Sequence, residues 1–515
     1  MRDPDAIVIG SGPNGLIAAL RLARAGMSVL VLEANPRRPG GSLGSDEGTL
    51  PGFVHDFGAA FFPMARVSPV LQSLSLERYG VGWLNAEVES CHPALDGTRA
   101  SIVRLNGDAA RPRDYFGSLE DTAAWEGLAR AHAAEEATLF DGLLGPLPSF
   151  GLPLRLGLFR ALRLASFFVA SSAGLSQRWF QSPAARRVLP ALALHADVGP
   201  WDLTGAALAY TLAMSATSVG YPVVRGGAQQ LTNALVTLLE LSGGQLRLGA
   251  RVERIVVKGK RTAAVRLASG EEIKARVAIV ADTSPSKLLL ELLPRGAVPS
   301  WALSRARRYR YGAGTFKVDW ALAGPVPWRD EDARRSATVH VGESIDDLTA
   351  YTRAVRSGAL PERPYLVVGQ QSLFDSTRAP LGAHTLYAYT HVPSQVKGGW
   401  ESAGRGFADR VEQRIEALAP GFRSLILGRR EITPDGLERA NENLVGGDLG
   451  GGSQHWSQQL FLRPFFPAFR YRMPLTSLYL CSSSTHPGAG VHGMCGQNAA
   501  ERVLRDVDSG HLARH

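Results

Sequence analysis

Residues 6–33 read AIVIGSGPNGLIAALRLARAGMSVLVLE, and the reading of this stretch decides the fold. Ala6 to Ile9 is an unbroken apolar run, as expected of a parallel strand covered on both faces. Gly10, Gly12 and Gly15 then form G-x-G-x-x-G, with Ser11, Pro13 and Asn14 between them. Leu16, Leu20 and Ala23 recur at helical spacing, Arg21 and Arg24 fall off that face, and Gly26 supplies the stop. A second apolar run, Val29 to Leu32, ends on Glu33. Strand, glycine turn, helix, strand and acid stand in the order of a dinucleotide-binding unit.

Chemistry explains the spacing. Gly10 permits the tight turn, Gly12 lets backbone approach a pyrophosphate, and Gly15 lets helix and strand pack closely. The helix N-terminus offers free N–H groups and a positive dipole end to the phosphates. Glu33 is positioned to accept the hydroxyls of an adenosine ribose. The same unit serves NAD and FAD, so it leaves that choice open.

The far end of the chain narrows the choice. Ser477 to Cys481 reads as a strand, SSSTHPGAGVHG supplies Gly488, Gly490 and Gly493, and Asn498 to Val507 reads as a helix. Only residues 494–515 follow Gly493, too few for a second complete nucleotide unit. The simpler use is a helix N-terminus aimed at the cofactor already bound, where its positive end stabilises the negative charge of a reduced flavin. That favours FAD. A pyridine-nucleotide disulfide reductase would need a further glycine unit in mid-chain and a C-x-x-C motif, and the sequence has neither. Electrons from an organic substrate would then pass to oxygen, a quinone or another external acceptor.

Composition excludes other classes. The 515-residue chain carries 56 Lys and Arg against 47 Asp and Glu, yet the basic excess is almost all arginine and is scattered, so no nucleic-acid stripe forms. Cys91, Cys481 and Cys495 have no metal-ligand or disulfide spacing, and a reducing cytoplasm with no metal is expected. The opening MRDPD lacks the basic and apolar regions of a signal peptide. Residues 151–180 are strongly apolar, with Arg155, Arg160 and Arg163 near the start. Their longest uncharged run, Leu164 to Gln177, is too short to span a bilayer. Two readings remain for them: a buried helix roofing a cavity, or an interfacial helix that docks on a membrane and admits an apolar substrate.

The pattern along the chain predicts an α/β protein. A discontinuous Rossmann-type FAD-binding domain comprises residues 1–83, 222–299 and 446–515. A helical insertion or substrate cap covers 84–221, and a mixed-sheet substrate domain covers 300–445. In the insertion, His195 and Asp197 form a polar pair whose simplest role is structural. In TFKVDWAL, Lys317 and Asp319 share one face of a strand whose other face is Phe316, Val318 and Trp320. Oligomeric state is not legible.

With GSGPNG, LEANPRRPGG, VVRGGAQQLTNAL, RVERIVV and LYLCSSSTHPGAGVHGMCGQNAA in place, the chain resembles the flavin-dependent amine oxidase and phytoene desaturase superfamily. YGAGTFKVDWALAGPVPW and GGDLGGGSQHWSQQLFLRPFF resemble its bacterial phytoene-desaturase-like oxidoreductases, related to pyridine nucleotide-disulphide oxidoreductase domain-containing protein 2. The resemblance implies that Gly10, Gly12 and Gly15, with Ser11, Pro13 and Asn14, hold the FAD pyrophosphate. It gives Glu33, with Ala34 beside it, the ribose, and sets Gly40, Gly41 and Ser42 along the pyrophosphate and flavin. Asp56, Gly58 and Ala59 would approach the isoalloxazine, Val252 the adenine, and Gly490, Val491, His492 and Gly493 the flavin pyrimidine. Many family members carry Arg where Ser42 stands.

The implied chemistry is hydride removal from an apolar or partly apolar substrate to flavin N5, with Lys317, His486 and His492 as candidate base or charge-stabilising groups. For Lys317 the competing reading is an ion pair with Asp319; for His492 it is a helix cap. Two other functions stay open. One is a flavin amine oxidase, with Trp456, Phe461, Phe465 and Phe469 as an aromatic cage and Arg463 arguing against a cation. The other is a non-catalytic protein, either a GDP-dissociation-inhibitor-like lipid binder or a flavin-bound scaffold.

Overall fold

The computed structural model describes residues 3–107, 112–149 and 151–512; Met1 and Arg2 of the opening MRDPD lie outside them. Ala6–Ile9 is the central strand of a five-stranded sheet ordered Leu478–Leu480, Ala278–Ala281, Ala6–Ile9, Val29–Leu32, Gln245–Arg247. Every pairing in it is parallel. The two faces separate by alternation: Ala6 and Val8 pack against helices Pro13–Arg24, Gln229–Leu241 and Met494–Asp508, whereas Ile7 and Ile9 pack against a three-stranded meander. Its strands are Val252–Lys258, Arg261–Leu267 and Glu272–Lys274. The helices of the first face touch through glycine. A Cβ on Gly15 would lie 2.3 Å from the Gly10 carbonyl oxygen, and one on Gly496 would lie 2.0 Å from that of Asn14.

A seven-stranded mixed sheet forms the second layer, ordered Ile426–Ile432, Gly314–Leu322, His384–Val392, Leu366–Gly369, Ser336–Val341, Val88–Pro93, Arg99–Ile102. Phe316, Val318 and Trp320 pack on helix Trp400–Leu418 through Phe407, Val411 and Ile415. Lys317 and Asp319 therefore lie on the opposite face, cross-strand from Tyr389 and Tyr387. That face is buried.

Two expectations change. The segment 84–221 is not wholly helical, because Val88–Pro93 and Arg99–Ile102 complete the substrate sheet. The polar letters of VESCHP conceal a fully buried strand whose Glu89, Ser90 and His92 have internal partners. The helical part proper includes Leu119–Ala133, Ser172–Trp179 and Gly205–Ser218. The first part of the segment 151–180 is also not a buried roof, although Phe167, Leu175 and Phe180 are buried. The segment forms Gly151–Leu156, Leu158–Phe167 and Ser172–Trp179, the last two bent by 120°. Leu154 and Phe159 are 86% and 85% exposed. Among the described residues no single helix is long and apolar enough to cross a membrane.

Candidate functional site

The nucleotide end is built where the central strand runs into the first helix. Gly12 at that N-terminus gives no side-chain cap; the Gly15 N–H is taken by Asp282, and the Asn14 N–H is the first-turn amide with no side-chain acceptor among the described residues. Buried Glu33 accepts from Ser11 N at 2.9 Å and Ser11 Oγ at 2.6 Å through one oxygen, and from Asn35 N at 2.8 Å through the other. Ala34 beside it is exposed, and Val252 is buried below. Gly40 donates its N–H to Ser11 Oγ at 3.2 Å, and a Cβ on Gly40 would meet the Leu43 carbonyl at 2.2 Å. A Cβ on Gly41 would lie 3.8 Å from the Gly12 Cα, and one on Gly58 would lie 2.7 Å from the Ser42 carbonyl oxygen. Glycine loops thus meet here, with no room for a side chain at Gly40 or Gly58, next to the first helix N-terminus and a buried carboxylate. This donor set fits a dinucleotide.

Asp282 joins this end unannounced by any motif. It follows the strand Ala278–Ala281 and accepts from Gly15 N at 3.0 Å. A Cβ on Gly12 would lie 2.4 Å from the same oxygen. Burial pushes its pKa up to about 7, opposed by the Gly15 N–H and reinforced by Glu33. The only signal in sequence was an acid ending an apolar run.

Asp56 does not have a carboxylate free for the isoalloxazine. One oxygen accepts from Ser45 Oγ at 2.7 Å and Ala228 N at 2.8 Å, and the other from fully buried Arg378 at 2.9 Å. Arg378 also pairs with Asp375 at 2.8 Å. Asp56 is a strut between the loop 42–59, the helix at 229 and the sheet.

A cavity of about 260 Å³ lies beside Gly58 and Ala59. Gly490 and Val491 line it too, together with Phe61, Tyr221, Tyr387 and Tyr389, the rings of His195 and His391, and Asp197 and Asp448. None of the three residues expected to act as base or charge stabiliser lines it. Lys317 lies behind the wall, ion-paired with Asp319 and with its Nζ 5.2 Å from the Tyr387 ring centroid. Burial opposes the charge on Asp319, but Lys317, His55 and Arg430 outweigh it and hold the carboxyl below its usual range. His492 accepts from Met494 N at 3.0 Å through Nδ1 and so caps the last helix. His486 and His492 are both held neutral, burial lowering each pKa to about 4.

The histidines that reach the cavity are His195, read from the sequence as structural, and His391, which no motif marked. The aromatic residues expected for a cage are elsewhere: Trp456 and Phe461 are exposed and Phe465 packs in the core behind the parallel sheet. Arg463 is fully buried and donates to the carbonyls of Ser453, Gly450 and Ser483.

The family described as flavin containing amine oxidoreductase matches residues 14–368. The chain is 28% identical to pyridine nucleotide-disulfide oxidoreductase domain-containing protein 2 of Rattus norvegicus, over 98% of this chain and 94% of that protein. It is 27% identical to hydroxyneurosporene desaturase of Cereibacter sphaeroides, over 98% of each. Cyclohexylamine oxidase from Brevibacterium oxydans IH-35A shares the fold, with a TM-score of 0.61 at 16% identity over 98% of this chain and 100% of that one.

Two predictions follow from the nucleotide end. Glu33→Ala lowers the dinucleotide content of the purified protein, read from absorbance after heat release; unchanged content would remove Glu33 from the ribose. Asp282 has a folded pKa of about 7, above the unfolded value near ~3.9. Its contribution to apoprotein stability is complete below about pH 4 and is lost as pH rises through 7. Urea unfolding at pH 5 and pH 8 should therefore show Asp282→Asn gaining on wild type at the higher pH.

Proposed function

The chain belongs to the flavin containing amine oxidoreductase family, and on that premise we propose that this FAD-dependent oxidoreductase desaturates or dehydrogenates an apolar or partly apolar organic substrate. Oxygen, a quinone or another external acceptor would then take the electrons. The observation that carries this reading is the cavity, which sets the glycines of two cofactor loops against an aromatic wall. Gly10 to Gly15, Glu33, Gly40 and Gly41 would hold the cofactor. FAD supplies the two-electron acceptor for a substrate hydride.

The chain's own contribution is position and proton handling. Phe61, Tyr387 and Tyr389 exclude water and fix an apolar body. The proton that leaves with the hydride passes to His391, which lines the cavity. Burial keeps that ring neutral and so able to accept. The test is anaerobic titration of the heat-verified flavoprotein with a panel of terpenes and amines. Bleaching of the flavin by an apolar compound, with a product lighter by two hydrogens, is expected; bleaching by amines alone would make the protein an amine oxidase.

The exposed helices support a second element of this proposal, a cytoplasmic protein docked on a bilayer. Leu154, Leu158, Phe159 and Leu162 are exposed, as an apolar face that enters a lipid surface would be, whereas Arg155 and Arg160 beside them are paired with Asp141 and Glu135. The three free buried cysteines suit a reducing compartment. Phe159→Glu should reduce cosedimentation with phosphatidylserine vesicles severalfold. Equal sedimentation of the two proteins would remove this surface from the account.

A further inference from the structure

Behind the cavity wall runs a string of hydrogen bonds made almost entirely of imidazoles. The Tyr389 hydroxyl lies 3.2 Å from His195 Nδ1, and His195 Nε2 lies 2.6 Å from His340 Nε2. His340 Nδ1 lies 2.8 Å from Ser90 Oγ, which lies 3.1 Å from His92 Nε2. His92, His340 and Ser90 are completely buried. Burial depresses the pKa of all three histidines, so each ring carries one proton. Among the described residues the only hydrogen-bond partners of Ser90 Oγ are these two rings, so its one hydrogen serves one of them and the string has two possible directions.

The inner end selects between them. His92 Nδ1 has no hydrogen-bond partner among the described residues, and the cationic Arg187 acts on this ring. An N–H there would be a buried donor without an acceptor, close to a positive charge. A lone pair there is far less costly. His92 Nε2 therefore donates to Ser90, Ser90 donates to His340 Nδ1, His340 Nε2 donates to His195 Nε2, and His195 Nδ1 donates to the Tyr389 oxygen. The Tyr389 proton is thus directed away from the string, and each upstream bond polarises the next.

A second hydroxyl stands in the same place without a partner. Tyr221 is 2% exposed, lines the cavity, and its hydroxyl has no hydrogen-bond partner among the described residues. Its ring is nearly parallel to that of His195, at 12° with 6.4 Å between centroids, and Tyr389 lies close enough to disfavour its ionisation. His391, two residues along the strand from Tyr389, shares the same face.

Resting on the dehydrogenase reading above and deepening it, we propose that the Tyr221 and Tyr389 hydroxyls form a donor pair that recognises a carbonyl oxygen on an otherwise apolar substrate. His391 then takes the proton from the carbon next to that carbonyl, and the neighbouring carbon gives up its hydride, so that the product gains one C=C bond conjugated with the carbonyl. The two donors draw off the negative charge that develops on the oxygen as the proton leaves. Anionic substrates fit less well, because Asp197 and Asp448 line the same cavity beside His391.

The test compares α-tetralone with tetralin, the same bicyclic body with and without a carbonyl, by calorimetry on the flavin-loaded protein. A preference for the ketone of about tenfold or more is expected. Tyr389→Phe and Tyr221→Phe should each reduce it about threefold to tenfold, the size of one neutral hydrogen bond, with tetralin affinity unchanged. Ser90→Ala touches nothing in the cavity yet should weaken the preference in the same direction, which a merely structural role would not do. Equal binding of ketone and hydrocarbon, a preference retained in both Phe variants, or tighter binding of 2-aminotetralin would each overturn the inference. Failure of the dehydrogenase reading would look different: no compound would bleach the flavin, while the ketone preference would still be measurable.

Discussion

The first and last helices of the chain approach so closely that one backbone touches the other. A side chain cannot begin at Gly496 without meeting the Asn14 carbonyl, and one at Gly493 would lie 2.8 Å from Ile17. This contact brings the turn that precedes the last helix alongside the loop that opens the first. Gly490 and Val491 reach the cavity because Gly493 is pinned there. The constraint is steric, so even one added methyl group strains it, at a cost of about 1–3 kcal/mol.

Charge holds the second layer to the first. Asp56, Arg378 and Asp375 join the loop after Gly41 to the mixed sheet, and Asp319 ties Lys317, Arg430 and His55 together across neighbouring strands. These groups sit in low dielectric, where removing one partner strands the other at a cost of about 3–5 kcal/mol. Their conspicuous chemistry is consumed by cohesion. The Tyr221 hydroxyl, by contrast, has no hydrogen-bond partner among the described residues and belongs to the cavity lining.

Local order was legible in the sequence, and distant pairing was not. The glycine unit and the final strand each announce themselves within a few residues, because turn chemistry and periodicity are local. Asp282 and Gly15 are 267 residues apart, and His195 and His340 are 145 apart; no spacing rule links either pair. VESCHP escaped notice for a different reason. A strand covered on both faces normally reads as apolar, but this one meets polar partners inside the protein. Lys317 and Asp319 were correctly placed on one face, yet only the fold reveals that the face turns inward and that the cavity wall is made by their cross-strand neighbours.

The parallel sheet draws its five strands from widely separated parts of the chain, and its last strand, Leu478–Leu480, is added beside Ala278–Ala281. During synthesis the glycine turn at residues 10–15 emerges first, but the helix that packs on it emerges last. The mixed sheet, whose strands end at Ile432, is available to fold before that. Closing such long loops is slow, and unpaired parallel strands are exposed meanwhile. The nascent chain must therefore carry an open edge at Ala278–Ala281 until Leu478–Leu480 has been made, and chaperone demand should concentrate in that interval.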